Sequence, residues 1–140
     1  KLLNTFSEVS KSLEMDHVLV VHGSDGLDEI TVTGDTLVSE LKNHKISEYT
    51  ISPKQFGLSN SSLEEIYANS AEDSLMLVNE AFAGENSAVQ DMIAMNSGAA
   101  LYIANVVNSI GDGIELSFEL MNNGKAADKL AAYVRISNTL

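Results

Sequence analysis

The stretch VLVVHGSDGLDEITVT, residues 18–33, holds two strand-like runs joined by a glycine- and carboxylate-rich connection. Val18-Leu19-Val20-Val21 is a short apolar run rich in β-branched residues, the composition of a buried strand. His22-Gly23-Ser24-Asp25-Gly26 interrupts it with turn chemistry. Ile30-Thr31-Val32-Thr33 then alternates apolar and polar side chains, which predicts a second, half-buried strand. Between the two runs, Asp25, Asp28 and Glu29 place three carboxylates within five positions.

Before this stretch, residues 2–15 set Leu2, Phe6, Val9 and Leu13 on one face of an amphipathic helix. No capping residue precedes Leu2 and the first residue is Lys1, so the chain is expected to be a piece of a longer protein. After it, Gly34-Asp35 leads into a predicted helix near 36–43, with Asp35 as its N-cap. Residues 46–51 are a third strand candidate, and the rest of the chain reads as helices. Ser52-Pro53 is an N-cap followed by proline at the first helical position, where a missing N–H costs nothing. Ser61 with Glu64, Ser70 with Asp73 and Ser87 with Gln90 have capping-box spacing or a close variant. A helix from Ala71 repeats Leu75, Val78 and Phe82 and closes at Gly84. The segment 87–107 is apolar around much of its circumference, which predicts the central buried helix. Gly111 and Gly113 are expected to separate it from a helix near 114–122, and a last helix carries Ala127, Leu130, Ala131 and Val134. The fold class that follows is α/β, with few strands and helices predominating. Its sheet looks too small for its helices.

Composition bounds the partners. The 140 residues carry 20 Asp+Glu against 8 Lys+Arg, a net charge of -12, with no cysteine and one proline. One compact domain is the default at this length. With 44% hydrophobic and 20% charged residues, the chain has enough apolar mass to offset its ordering entropy. The acid excess opposes nucleic-acid binding, which needs clustered cations. A disulfide framework and a cysteine zinc site are excluded. No apolar run reaches the ~18–20 residues that span a membrane, and the start is too polar for a secretory signal. A cytoplasmic chain with no nucleic-acid or membrane partner is expected.

The carboxylate cluster is the main chemical candidate. Adjacent carboxylates in a loop after a buried strand suit Mg²⁺, which takes oxygen ligands and keeps waters and substrate phosphates in its shell. Glycines on either side allow close approach. A solvated turn is the other reading of the same residues, since Asp-Gly is a common turn dipeptide. An EF-hand does not fit the spacing. His17, His22 and His44 lack zinc-site spacing; His22 is expected to hydrogen-bond within its turn and His44 to lie solvated near a helix end. Gly111-Asp112-Gly113 reads as a helix-breaking turn rather than a dinucleotide loop. Asn96-Ser97-Gly98-Ala99-Ala100 puts small residues in mid-helix, suited to close packing. Arg135 is expected to complement a helix dipole or stay solvated.

Residues 20–31, VVHGSDGLDEIT, closely resemble the HGxDGLDE signature of the anthranilate phosphoribosyltransferase family. ISEYTISP at 46–53, FGL at 56–58, NSGAALY at 96–102 and GKAA at 124–127 keep that family's order along essentially the whole chain. The resemblance implies transfer of the phosphoribosyl group of phosphoribosyl pyrophosphate to the amino group of anthranilate, releasing pyrophosphate, with Mg²⁺. It implies that Asp28 and Glu29 help to hold that metal, and that this chain is the C-terminal portion of an α/β domain of the nucleoside phosphorylase/phosphoribosyltransferase type. A small helical domain, through which the subunits dimerise, and the first part of the α/β domain would lie outside it. The family's glycine-rich phosphate loop and anthranilate-binding arginine have no counterpart among these residues, and Arg135 is no substitute. No substrate-binding residue is therefore assigned here, and the 140 residues are expected to be inactive alone. The competing class is a non-catalytic acidic module that binds a divalent ion or a protein partner.

Overall fold

The computed structural model describes residues 2–139. Strands β1 (His17–Gly23), β2 (Thr36–Lys42) and β3 (Lys45–Ile51) form an antiparallel sheet in the order β1-β2-β3. Val21 pairs with Val38, and Val38 in turn with Tyr49, so these three share one face, while Val18, Leu41 and Ile46 line up on the other. Helix α1 (Leu2–Ser12) packs across the other face. Helices α2 (Ala71–Ala83), α3 (Ser87–Ile103), α4 (Ile110–Asn122) and α5 (Lys125–Ser137) follow two short 3₁₀ turns at Pro53–Phe56 and Leu63–Ile66. The core lies between the sheet and α3 and α4, where Ile30, Val32, Val38, Ile51, Ala94, Met95 and Ile114 are buried together. Each large aliphatic side chain removed from water there contributes roughly 1.5–3 kcal/mol.

Residues 36–42 correct the helix expected near 36–43: they form the central strand. Leu37, Val38 and Leu41 suit helical spacing, but the burial alternates between two covered faces. Ser39 and the buried Leu41 point towards α1, where the Ser7 hydroxyl lies 2.8 Å from the Ser39 hydroxyl. Val38 and Glu40 point towards α3. A strand covered on both faces loses the polar/apolar alternation that marks a half-exposed one.

Residues 30–33 correct the strand expected there. They run as an irregular segment with Ile30, Thr31 and Val32 all buried. Several of their backbone groups find partners outside any strand ladder. The Asn96 side chain takes both polar groups of Ile30, the Thr31 N–H donates to Thr36 Oγ1, and the Val32 carbonyl accepts from the Ser61 N–H.

The helical half follows the expected order with shifted edges. Ser70 caps α2 through the Asp73 N–H and Gly84 closes it at φ 75. Asn86, one residue before the expected Ser87, caps α3, which ends at Ile103. Helix α4 begins at Ile110 under a Ser109 cap, so Gly111 and Gly113 lie inside a helix rather than in a breaking turn. Gly113 is required there because α4 crosses α3 with its backbone against that of Gly98; a Cβ at Gly98 would sit 2.6 Å from the Ile114 nitrogen. The small residues of α3 therefore serve close packing, as their spacing suggests.

One expectation about α1 holds only in part. The helix is amphipathic, but its apolar stripe faces outward: Leu2, Phe6, Val9 and Leu13 are 72%, 58%, 50% and 69% exposed, whereas Ser7 is fully buried.

Candidate metal centre

Asp28 and Glu29 sit in the loop that runs from the end of β1 to the start of β2. The loop is closed on itself by backbone hydrogen bonds. The Gly23 N–H donates to the Leu27 carbonyl at 2.9 Å, the Ser24 N–H to the Asp35 carbonyl at 2.8 Å and the Gly26 N–H to the Gly23 carbonyl at 3.0 Å. Gly26 takes the left-handed conformation at φ 96, and Gly23 leaves room for the loop to fold back: a Cβ there would lie 2.5 Å from Asp25 Oδ1.

The three carboxylates divide into one that is engaged and two that are free. Asp25 accepts from the Leu27 N–H at 3.1 Å, from the Thr33 hydroxyl at 2.6 Å and from the Thr31 hydroxyl. Burial pushes its carboxyl up, but these hydrogen bonds outweigh burial and hold it below its ordinary value. Asp25 thus ties the turn to the segment 31–33. Asp28 and Glu29 are exposed, and neither carboxylate is engaged by a hydrogen bond or ion pair among the described residues. They are adjacent in sequence but border different hollows. Asp28 lines one of about 550 Å³ with His22, Val20, Val21 and residues of α1. Glu29 lines another, of about 310 Å³, with Met92, Ile93 and Asn96 of α3.

Among the described residues no group of three or more histidine or acidic side chains is gathered to hold a metal ion. Two free carboxylates do not make a closed cage. They match the donor set of a hard cation that takes one or two carboxylates and completes its shell with water and phosphate oxygens, as Mg²⁺ does. His22, expected to hydrogen-bond within its turn, is instead exposed with no such bond among the described residues. His44 is exposed as expected, though in the β2–β3 turn at φ 60 rather than beside a helix. Arg135 is exposed in the last turn of α5.

Two features of the site region have no local signal in the sequence. Asn96, which spacing marks only as part of a small-residue stretch, clasps Ile30 from across the core. Beside the sheet, Glu40 gathers His17 Nε2 at 2.8 Å, the Tyr102 hydroxyl at 2.8 Å and the Tyr49 hydroxyl at 2.9 Å. Lys42 Nζ donates to the Tyr102 hydroxyl at 2.9 Å and lies 4.3 Å from its ring centre. Burial pushes the Glu40 carboxyl up, but the hydrogen bonds from His17, Tyr102 and Tyr49 outweigh it and leave it below its ordinary value. Burial and then the Glu40 bond push the Tyr49 hydroxyl well up, so it stays protonated as the donor. This cluster fastens α3 to all three strands.

Comparison with known proteins matches residues 1–127 to the family model described as glycosyl transferase family, a/b domain. The anthranilate phosphoribosyltransferase of Vesicomyosocius okutanii is 43% identical over 136 residues, 97% of this chain and 40% of the relative. That of Alkalilimnicola ehrlichii is 46% identical over 129 residues, 92% of this chain and 38% of the relative. The chain therefore spans about 40% of the length of the curated relatives it matches. Among solved structures, the anthranilate phosphoribosyltransferase of Thermus thermophilus superposes with a TM-score of 0.84 at 29% identity, covering 95% of this chain and 39% of that one. The Saccharomyces cerevisiae enzyme in complex with PRPP and Mg gives a TM-score of 0.83 at 21% identity, covering 99% of this chain and 40% of that one, a likeness of fold.

Proposed function

The chain belongs to the glycosyl transferase family, a/b domain, and from that membership we propose that it is the C-terminal part of an anthranilate phosphoribosyltransferase. The whole protein would transfer the phosphoribosyl group of phosphoribosyl pyrophosphate to the amino group of anthranilate, releasing pyrophosphate, a step of tryptophan biosynthesis. The observation that carries the proposal is the HGSDGLDE loop, folded so that Asp25 is consumed internally while Asp28 and Glu29 stay free.

In this reading Asp28 and Glu29 would hold Mg²⁺, and the bound cation would let a pyrophosphate group meet this acidic chain. When bound, the metal offsets the charge that builds on the leaving pyrophosphate. Without a cation, a chain of net charge -12 repels such a substrate; two carboxylates that recruit one reverse the local sign. The fold supports the assignment, since solved anthranilate phosphoribosyltransferases share it. The remaining site elements, the helical domain and the dimer contact of a homodimer would lie outside these residues. The enzyme would act in the cytoplasm; no helix among the described residues is long and apolar enough to cross a membrane.

The test is the double substitution Asp28→Asn with Glu29→Gln in the full-length protein. Loss of an outer-shell partner of a metal ligand costs roughly 10–100-fold, so loss of two ligands should lower kcat/KM by at least about 100-fold. The loss should shrink as Mg²⁺ is raised. Unchanged activity and unchanged Mg²⁺ dependence would reduce the pair to a solvated turn. In the same assay, phosphoribosylanthranilate formed by the 140-residue chain alone would overturn its assignment as a partial site.

A further inference from the structure

We propose that Asn96 is the positioning residue of the Asp28–Glu29 pair, an inference that rests on the metal-binding reading above. Asn96 lies on α3, and its side-chain amide makes the two bonds that a neighbouring strand would make to one residue. Its Oδ1 accepts from the Ile30 N–H at 3.0 Å, and its Nδ2 donates to the Ile30 carbonyl at 2.8 Å. The Ile30 N–H is a donor only, which fixes which end of the amide meets it. Nδ2 also donates to the Met92 carbonyl at 3.0 Å, one turn back on the same helix, so the amide plane is itself held.

Ile30 directly follows Glu29, and its side chain is 2% exposed in the core. The backbone at the end of the acidic pair is thus fixed from two sides, by the buried side chain and by the amide clasp. At the other end, the Asp25 carboxylate holds the Leu27 N–H. Asp28 and Glu29 are the two residues left between these fastenings, and Glu29 borders the same hollow as Asn96. A carboxylate held at a fixed point binds a cation without first losing backbone freedom; a loop released at Ile30 must be ordered when the cation arrives. Fixing ligands through outer partners is worth roughly 10–100-fold in metal affinity.

The experiment uses the full-length protein and Mn²⁺ as the probe. Free Mn²⁺ is read from its electron paramagnetic resonance signal with phosphoribosyl pyrophosphate present. Asn96→Ala should weaken Mn²⁺ binding about 10–100-fold and speed amide exchange at Asp28 to Ile30 in the metal-free protein. Gln90→Ala is the matched control. Gln90 also lies on α3 and also ties its amide to a backbone carbonyl, that of Ala81 at 2.9 Å, but away from the loop. It should cost similar stability and leave Mn²⁺ binding unchanged. If Asn96→Ala does not fold, Asn96→Asp keeps the shape and the acceptor, removes the two donated bonds and carries the same expectation. Equal Mn²⁺ binding in the Asn96 and Gln90 variants, while Asp28→Asn with Glu29→Gln binds weakly, overturns the positioning role alone. Unchanged binding in that double variant overturns the metal reading beneath it.

Discussion

Two glycines of α4, two residues apart, should respond to the same substitution with opposite signs. At Gly113 an added Cβ would press into the Gly98 carbonyl oxygen and lie 2.8 Å from both the Gly98 carbonyl carbon and its Cα. All of these are backbone atoms of a neighbouring helix, so no side chain can swing aside; α3 and α4 must separate. At Gly111 the nearest atoms are Ser109 Oγ at 3.7 Å and Phe56 Cδ1 at 3.9 Å, ordinary van der Waals distances. Helix propensity alone favours alanine over glycine by about 1 kcal/mol in a helix interior. Overpacking costs typically ~1–3 kcal/mol, and a rigid backbone contact belongs at or above the top of that range. The difference leaves Gly113→Ala destabilised by about 2 kcal/mol, whereas Gly111→Ala, near the helix start, should be neutral or more stable by a few tenths. Urea denaturation of both variants reads this as the midpoint at constant slope. If Gly113→Ala proved as stable as Gly111→Ala, the close helix crossing would be refuted, and with it the reason for a glycine at position 113.

Further outcomes follow from the buried polar groups. Glu40→Gln should lose about 1.5–3 kcal/mol at pH 7, the usual worth of hydrogen bonds to a charged group. Because the folded Glu40 carboxyl lies below its ordinary value, that stability is present above the unfolded value and is lost as pH falls through the folded one. The gap between parent and variant should therefore narrow in acid below about pH 4, measured by urea denaturation at neutral and acid pH; a constant gap would remove the charge from the account. On α1, Ser7→Ala should cost about 1 kcal/mol, because it takes the partner from the buried Ser39 hydroxyl. Phe6→Ala, at a position 58% exposed, should cost less, and the reverse order in denaturation midpoints would place the helix the other way round.

The parts of the fold that are legible in the sequence are those whose causes are local. Ser70 and Gly84 mark the two ends of α2, and the apolar girth of residues 87–103 marks the buried helix. The parts that mislead have distant causes. Thr36 to Lys42 holds buried serine and glutamate because Ser7 on one side and His17, Tyr49 and Tyr102 on the other satisfy them. Ile30 to Thr33 alternates like a strand, yet the Ile30 backbone is met by one side chain 66 residues away and its neighbours by Thr36 and Ser61. Gly111 and Gly113 look like helix breakers because what makes Gly113 an asset lies on a different helix. In each case the local pattern is a fair statement of intrinsic preference, and tertiary contact overrides it.

The same division explains the carboxylate loop. Asp25, Asp28 and Glu29 are chemically near-equivalent in sequence, and three acids in one turn repel one another. The fold resolves this by giving Asp25 an N–H and two threonine hydroxyls from its own loop, so its lone pairs already have donors. A cation bound there would have to displace those bonds, and the loop would open. Asp28 and Glu29 have no such donors among the described residues, and the bonds that Asp25 makes to Leu27 and Asn96 makes to Ile30 fasten the backbone on either side of the two. On the proposed metal reading, the engaged acid would help to keep the free pair in place, and metal binding would depend on residues that never contact the metal.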